Sequence, residues 1–159
     1  MADEKQYKII FVCRGNTCRS AMAKYIMCHM LEEAGIDKVR VDSAGYNTNG
    51  GSPMREGARR ELNKNKIPFD RHRSKPFTLQ IYNQADCIIA LDEIIYGKIK
   101  KKVGGDSDNK IRLLRDADGN NLIVKNPFAA HNYSKSYSKI FSGCMELLTD
   151  VLSGQYWQS

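Results

Sequence analysis

Tyr7–Val12 reads YKIIFV, a short apolar run of the kind buried on both faces of a parallel sheet, and it passes through Cys13–Ser20 (CRGNTCRS) straight into the helix-forming SAMAKYIMCHMLEE of Ser20–Glu33. Gly35 follows as a stop signal. A strand of this type needs cover on both faces, and a helix that is apolar almost all round must itself be buried. Together they demand a layered α/β arrangement. The rest of the chain repeats the alternation. Val39–Ser43 (VRVDS) reads as a second strand, 47–53 as a Gly/Asn/Ser loop and Met54–Lys64 as a helix. Asp86–Leu91 (DCIIAL) is a third buried strand, followed by a helix from Asp92 to about Lys101, a turn cluster over 102–108, a short strand Ile111–Leu114, a loop Asp116–Asn121 and a last helix from about Tyr133 to Leu152. Strands and helices alternating at this spacing predict a parallel sheet, with ligands bound beyond the carboxyl ends of its strands.

At 159 residues the chain is expected to form one domain spanning 1–159, since a domain of that size buries about 70% of its unfolded surface. No apolar run approaches the ~20 residues of a membrane span, and Met1–Gln6 is charged and polar rather than a secretory leader. Five cysteines without scaffold spacing argue against a disulfide framework, so a reducing, cytoplasmic setting is the expectation. The net charge of +7 admits an anionic substrate, a nucleic acid or plain solubility. The densest basic run, Lys98 with Lys100–Lys102, has no interleaved aromatics and reads as a solvated helix face, so no nucleic-acid partner is expected.

The loop after the first strand carries the chemistry. The Cys-x5-Arg spacing of Cys13 and Arg19 is weak evidence alone. Its context is stronger: the cysteine ends a buried strand, Gly15 and Asn16 tolerate backbone conformations closed to most residues, and the arginine opens a helix. A turn that sharp points the N–H groups of Arg14, Gly15, Asn16, Thr17 and Cys18 inward, and with the helix dipole these cradle a phosphate-sized anion. Arg19 adds a planar fork for two phosphate oxygens. The same field favours the thiolate of Cys13. The segment lacks the lysine and spacing of a Walker A loop, and no G-x-G-x-x-G is present.

V-C-x-G-N-x-C-R-S at Val12–Ser20, D-S-A-G at Asp42–Gly45, His72 in a His-x-Ser context, D-x-I-x-x-L-D-E from Asp86 to Glu93 and N-P-F at Asn126–Phe128 resemble the low-molecular-weight protein tyrosine phosphatases over nearly the whole chain. The resemblance implies a four-stranded parallel sheet in the order 2-1-3-4 flanked by helices, no metal or organic cofactor, and phosphotyrosine proteins or peptides as substrates of a monomeric enzyme that releases inorganic phosphate. It implies that Cys13 attacks phosphorus to form a cysteinyl-phosphate, that Ser20 supports the thiolate, and that Ser43 and His72 hold the strained loop at Asn16. It further implies that Cys18 can form a reversible disulfide with Cys13 under peroxide, whereas Cys28, Cys87 and Cys144 fall among apolar residues and read as core.

The resemblance fails at one point. The family places an acid before Pro and an aromatic to protonate the departing tyrosyl oxygen, and here that position is Asn126, followed by Pro127 and Phe128. An amide can hydrogen-bond the leaving oxygen but has no proton to give. Three readings stay open: an engineered Asp-to-Asn substrate trap, a natural weak or binding-only relative, or another acid standing in, with His131, Asp92 and Asp118 as candidates. The rim also departs, with Arg14 where the family is commonly apolar and Asn47 and Asn49 near the usual aromatic wall. Phe128 is left as one wall of a phenyl slot, and Arg14 suggests a taste for acidic peptides. A thiol-linked arsenate reductase, the other enzyme class with this loop, would need relay cysteines on a mobile segment, and Cys87 sits inside a strand with no cysteine close by in the sequence.

Overall fold

Four strands pair in parallel in the order β2-β1-β3-β4, with β1 at Tyr7–Cys13, β2 at Val39–Gly45, β3 at Cys87–Ala90 and β4 at Ile111–Leu113. The computed structural model describes residues 6–127 and 132–154. β1 is central because its apolar residues can be covered on both faces: Ile9, Phe11 and Val12 are fully buried and Ile10 nearly so. Register places Cys13 opposite Gly45, so the end of β1 meets the end of β2.

The helices follow the order of the strands. β1 leads through α1 (Arg19–Glu33) to β2 on one side, and β3 leads through α4 (Glu93–Lys102) to β4 on the other. Right-handed crossovers running in opposite directions put α1 and α4 on opposite faces of the sheet. They also leave a crevice beyond the carboxyl end of β1, where the direction of winding reverses. α1 is buried at Ala21, Met22, Ala23, Ile26 and Met27 because it lies between the sheet and a long last helix, α5 (Tyr133–Ser153), which accounts for its nearly all-round apolar text. α5 ends on Gly154, whose φ of 75° is the left-handed cap that glycine adopts without strain.

Several expectations shift at their edges. β2 runs to Gly45 rather than Ser43, because Ala44 and Gly45 still pair with Val12 and Cys13. α2 spans Glu56–Lys64, two residues later than the sequence predicts, since Arg55 stays extended at φ −62° and ψ 146°. A short helix, α3 (Leu79–Gln84), was not anticipated; Thr78 caps it by accepting the N–H of Ile81. Lys98, Lys101 and Lys102 are exposed on α4, in keeping with a solvated face. Cys87 and Cys144 are core residues, while Cys28 is only half-buried. Among the described residues no helix is long and apolar enough to cross a membrane.

Candidate active site

The loop joining β1 to α1 wraps a single sulfur. Cys13 is buried, and its Sγ accepts the N–H of Asn16 at 3.3 Å and lies 2.9 Å from Ser20 Oγ. Ser20 Oγ already accepts from Asn16 Nδ2 at 2.8 Å. Its own hydrogen can go to Sγ, or to Ala44 O at a longer 3.4 Å. A thiolate here has a hydroxyl and a backbone amide directed at it.

Asn16 is the keystone of the turn. It sits at φ 58°, in the left-handed region that asparagine enters more readily than most residues. Its polar atoms hold it there: Nδ2 also donates to Ser43 Oγ at 2.9 Å, Oδ1 accepts the N–H of Lys75 at 3.0 Å, and its carbonyl lies 2.6 Å from His72 Nε2. That carbonyl only accepts, so Nε2 of His72 carries hydrogen. Burial pushes the His72 pKa below the ordinary imidazole value, which keeps the ring neutral around pH 7. Gly45 completes the frame. A Cβ there would lie 2.7 Å from the carbonyl oxygen of Arg14 and 2.9 Å from the carbonyl carbon of Gly15, so the loop can lie against β2 only because residue 45 has no side chain.

Arg19 opens α1 and is itself buried. Its Nη1 donates to Asp92 Oδ2 at 2.6 Å and to the carbonyl of Val124 at 2.9 Å, which uses both hydrogens of that nitrogen. The Nε–Nη2 edge makes no hydrogen bond among the described residues and keeps the planar fork that suits two phosphate oxygens. Asp92 is occupied as well, since its Oδ1 accepts the N–H of Ile95 and caps α4. This reassigns one of the candidate stand-in acids: both Asp92 oxygens act as acceptors that fix Arg19 and α4. Asp118 is exposed in a surface turn and is not among the residues lining the pocket described below, and His131 lies outside the described residues.

Above the sulfur is an open pocket of about 240 Å³ lined by Cys13, Arg14, Gly15, Thr17, Cys18, Arg19, Asn47, Arg55 and Asn126. The side chain of Cys18, which caps α1 by backbone only, makes no capping bond, and α1 has no acid in its first turn, so the helix N-terminus faces the pocket without a built-in anion. Burial, and then the neighbouring Cys13, push the Cys18 thiol up to about 12. Of the expected rim, Asn47 lines the pocket and Asn49, exposed on the same loop, does not; Phe128 lies outside the described residues. Arg55, which sequence reasoning passed over, does line it.

The family model described as low molecular weight phosphotyrosine protein phosphatase matches residues 8–155. The low molecular weight protein-tyrosine-phosphatase PtpA of Staphylococcus aureus (strain MRSA252) is 33% identical over 145 residues, 91% of this chain and 93% of its own length. Among solved structures, YfkJ from Bacillus subtilis superimposes with a TM-score of 0.90 at 28% identity, covering 96% of this chain and 99% of the other. A YwlE arginine phosphatase superimposes with a TM-score of 0.82 at 27% identity, covering 91% and 95%. The parallel sheet in the order 2-1-3-4, the loop built around Cys13 and the match over nearly the full length lead to one conclusion: the chain belongs to the low molecular weight phosphotyrosine protein phosphatase family and is a phosphatase.

Proposed function

We propose that this phosphatase acts on phosphotyrosine in proteins or peptides through a cysteinyl-phosphate on Cys13, with its second catalytic element weakened at Asn126. The observation that carries the reading is the sulfur at the floor of the pocket, facing Asn16 N–H and Ser20 Oγ, with the open edge of Arg19 in the same lining. The phosphoryl group sits on the amides of Arg14–Cys18 and the Arg19 fork. Sγ attacks phosphorus as the P–O bond to the tyrosyl oxygen breaks, and water then cleaves the S–P bond to release inorganic phosphate. The charge that grows on the equatorial oxygens is met by donors already in place, so little reorganisation is needed.

Asn126 lines the pocket, and its amide can donate a hydrogen bond to a departing oxygen without transferring a proton. The phenolate must then leave nearly unprotonated, at a cost on the order of 10²–10⁴-fold for a poor leaving group. Cys18 is proposed to trap Cys13 once peroxide has oxidised it to the sulfenic acid, its thiol displacing water as the S–S bond forms. Burial, the larger cause of its high pKa, keeps Cys18 a neutral thiol. Among the described residues Arg14, Arg19 and Arg55 line the pocket and no carboxylate does, which disfavours phosphoarginine, whose leaving group is itself a cationic guanidinium.

The test is release of inorganic phosphate from matched phosphotyrosine and phosphoarginine peptides and from p-nitrophenyl phosphate, with vanadate as inhibitor. The expected order is p-nitrophenyl phosphate well above phosphotyrosine, with phosphoarginine slowest. Preferred turnover of phosphoarginine would overturn the assignment.

A further inference from the structure

The side-chain amide of Asn16 is gripped from two directions. Its Nδ2 donates to Ser43 Oγ at 2.9 Å, and its Oδ1 accepts the N–H of Lys75 at 3.0 Å, so the amide spans the gap between β2 and the segment 72–77 beside it. Ser43 is placed by the sheet, where it pairs with Phe11 of β1. Lys75 is not placed by a strand. Its segment meets the sheet in an isolated bridge between Gly45 and Pro76, through Gly45 N–H to Lys75 O at 2.9 Å and Phe77 N–H to Gly45 O at 2.8 Å. Pro76 has no N–H, so a ladder cannot lengthen through it. Among the described residues no backbone bond ties the segment to 42–44.

A side chain supplies that tie. Lys75 Nζ forms an ion pair with Asp42 Oδ2, and Asp42 Oδ1 accepts the N–H of Ser43 at 2.8 Å. Contacts therefore run from Asn16 to Ser43, through Asp42 to Lys75, and back to Asn16. Two further titratable groups face this circuit. Lys24 lies 3.5 Å from Asp42 Oδ1 but belongs to α1 and cannot tether the segment, while the neutral ring of His72 is spent on the Asn16 carbonyl. The Lys75 side chain is 44% exposed, and an ion pair that open adds little to overall stability. What it can set is alignment.

We propose that Asp42 and Lys75 are positioning residues for the turn that holds Cys13. Their ion pair fixes the gap that the Asn16 amide spans, and through Asn16 it aims the N–H that meets Sγ at 3.3 Å. The inference rests on the reading of this loop as the site of hydrolysis. With the pair broken, Asn16 is freer to leave its left-handed conformation, and its N–H drifts from the sulfur and from a bound phosphoryl group. Misalignment of a pre-set donor costs most in the transition state, where the geometry is most demanding. The competing account is that the backbone bonds at Gly45 and the His72 contact hold the turn unaided, leaving an ordinary surface ion pair.

The experiment measures p-nitrophenyl phosphate hydrolysis and its inhibition by vanadate, which mimics the transition state, and by inorganic phosphate, which does not. Lys75→Met and Asp42→Asn are each expected to lower kcat/KM about fivefold to tenfold and to weaken vanadate by a similar factor, with phosphate and the thermal melt little changed. The double variant should be no worse than the poorer single one, because either change opens the same circuit. Lys75→Arg keeps the cation and should restore most of the rate. Kinetics within about twofold of the parent in both single variants, as for an idle surface pair, overturn the inference and leave the assignment of the Cys13 loop standing. So do losses that multiply in the double variant, or equal weakening of both anions with a lower melting temperature. If Cys13→Ser still hydrolyses the substrate, the assignment of the loop itself fails and the inference falls with it.

Discussion

Asn126→Asp is expected to raise kcat/KM for a phosphotyrosine peptide by at least about tenfold, and to change turnover of p-nitrophenyl phosphate far less. The reason is the leaving group. A tyrosyl oxygen has a pKa of about 10 and is expelled slowly unless a proton reaches it as the P–O bond breaks, whereas an acidic nitrophenol leaves on its own. Asn126 lines the pocket and is close in shape to aspartate, so the change supplies a titratable carboxyl without altering packing. The new carboxyl also brings a pH dependence, because it must be protonated for the first step and ionised to activate water in the second. Steady-state assays with both substrates across pH check this. Equal gains on both substrates, or none on either, would mean that the proton comes from another group.

Arg19→Lys is expected to lower kcat/KM for every phosphomonoester by about 10²–10³-fold, the scale seen when one pre-set donor to a developing oxyanion is removed. Lysine retains the positive charge and can still pair with Asp92, so folding should survive, and a thermal melt close to that of the parent protein would show it. What is lost is the planar edge left over once Nη1 is committed to Asp92 Oδ2 and Val124 O. An ammonium satisfying those two acceptors has no second pair of parallel N–H bonds to offer. Weaker inhibition by vanadate should accompany the loss of rate. Near-normal activity would mean that the amides of the loop suffice and that Arg19 serves only to anchor α4.

Local text was enough wherever burial or backbone geometry set the outcome. YKIIFV and DCIIAL announce fully buried strands because nothing else tolerates such runs, and Asn16 beside Gly15 marks a turn that in fact reaches a φ of 58°. The short helix α3 was missed because LQIYNQ has too few turns to show a period and buries only Tyr82. Asp92 was one of three stand-in acids between which the spacing could not choose. As an acid near a Cys-x5-Arg loop it resembles a proton donor, and only a contact across 73 positions reveals that Arg19 already holds it. Arg55 escaped notice in the same way. Its place at the rim depends on a backbone bond to Thr17, which no spacing rule in 53–56 could disclose. Asn47 and Asn49 were indistinguishable as text, since both belong to one Gly/Asn loop and only the fold decides that Asn47 faces the pocket.

The most direct test of the account is to mix the protein with p-nitrophenyl phosphate, quench within milliseconds and map the phosphoryl group by mass spectrometry. Because Asn126 provides no base for the water step, the S–P intermediate should accumulate, with the added phosphoryl on the peptide containing Cys13 and absent in Cys13→Ser. Steady release of nitrophenol with no adduct on Cys13, or with the adduct on any other residue, would contradict it.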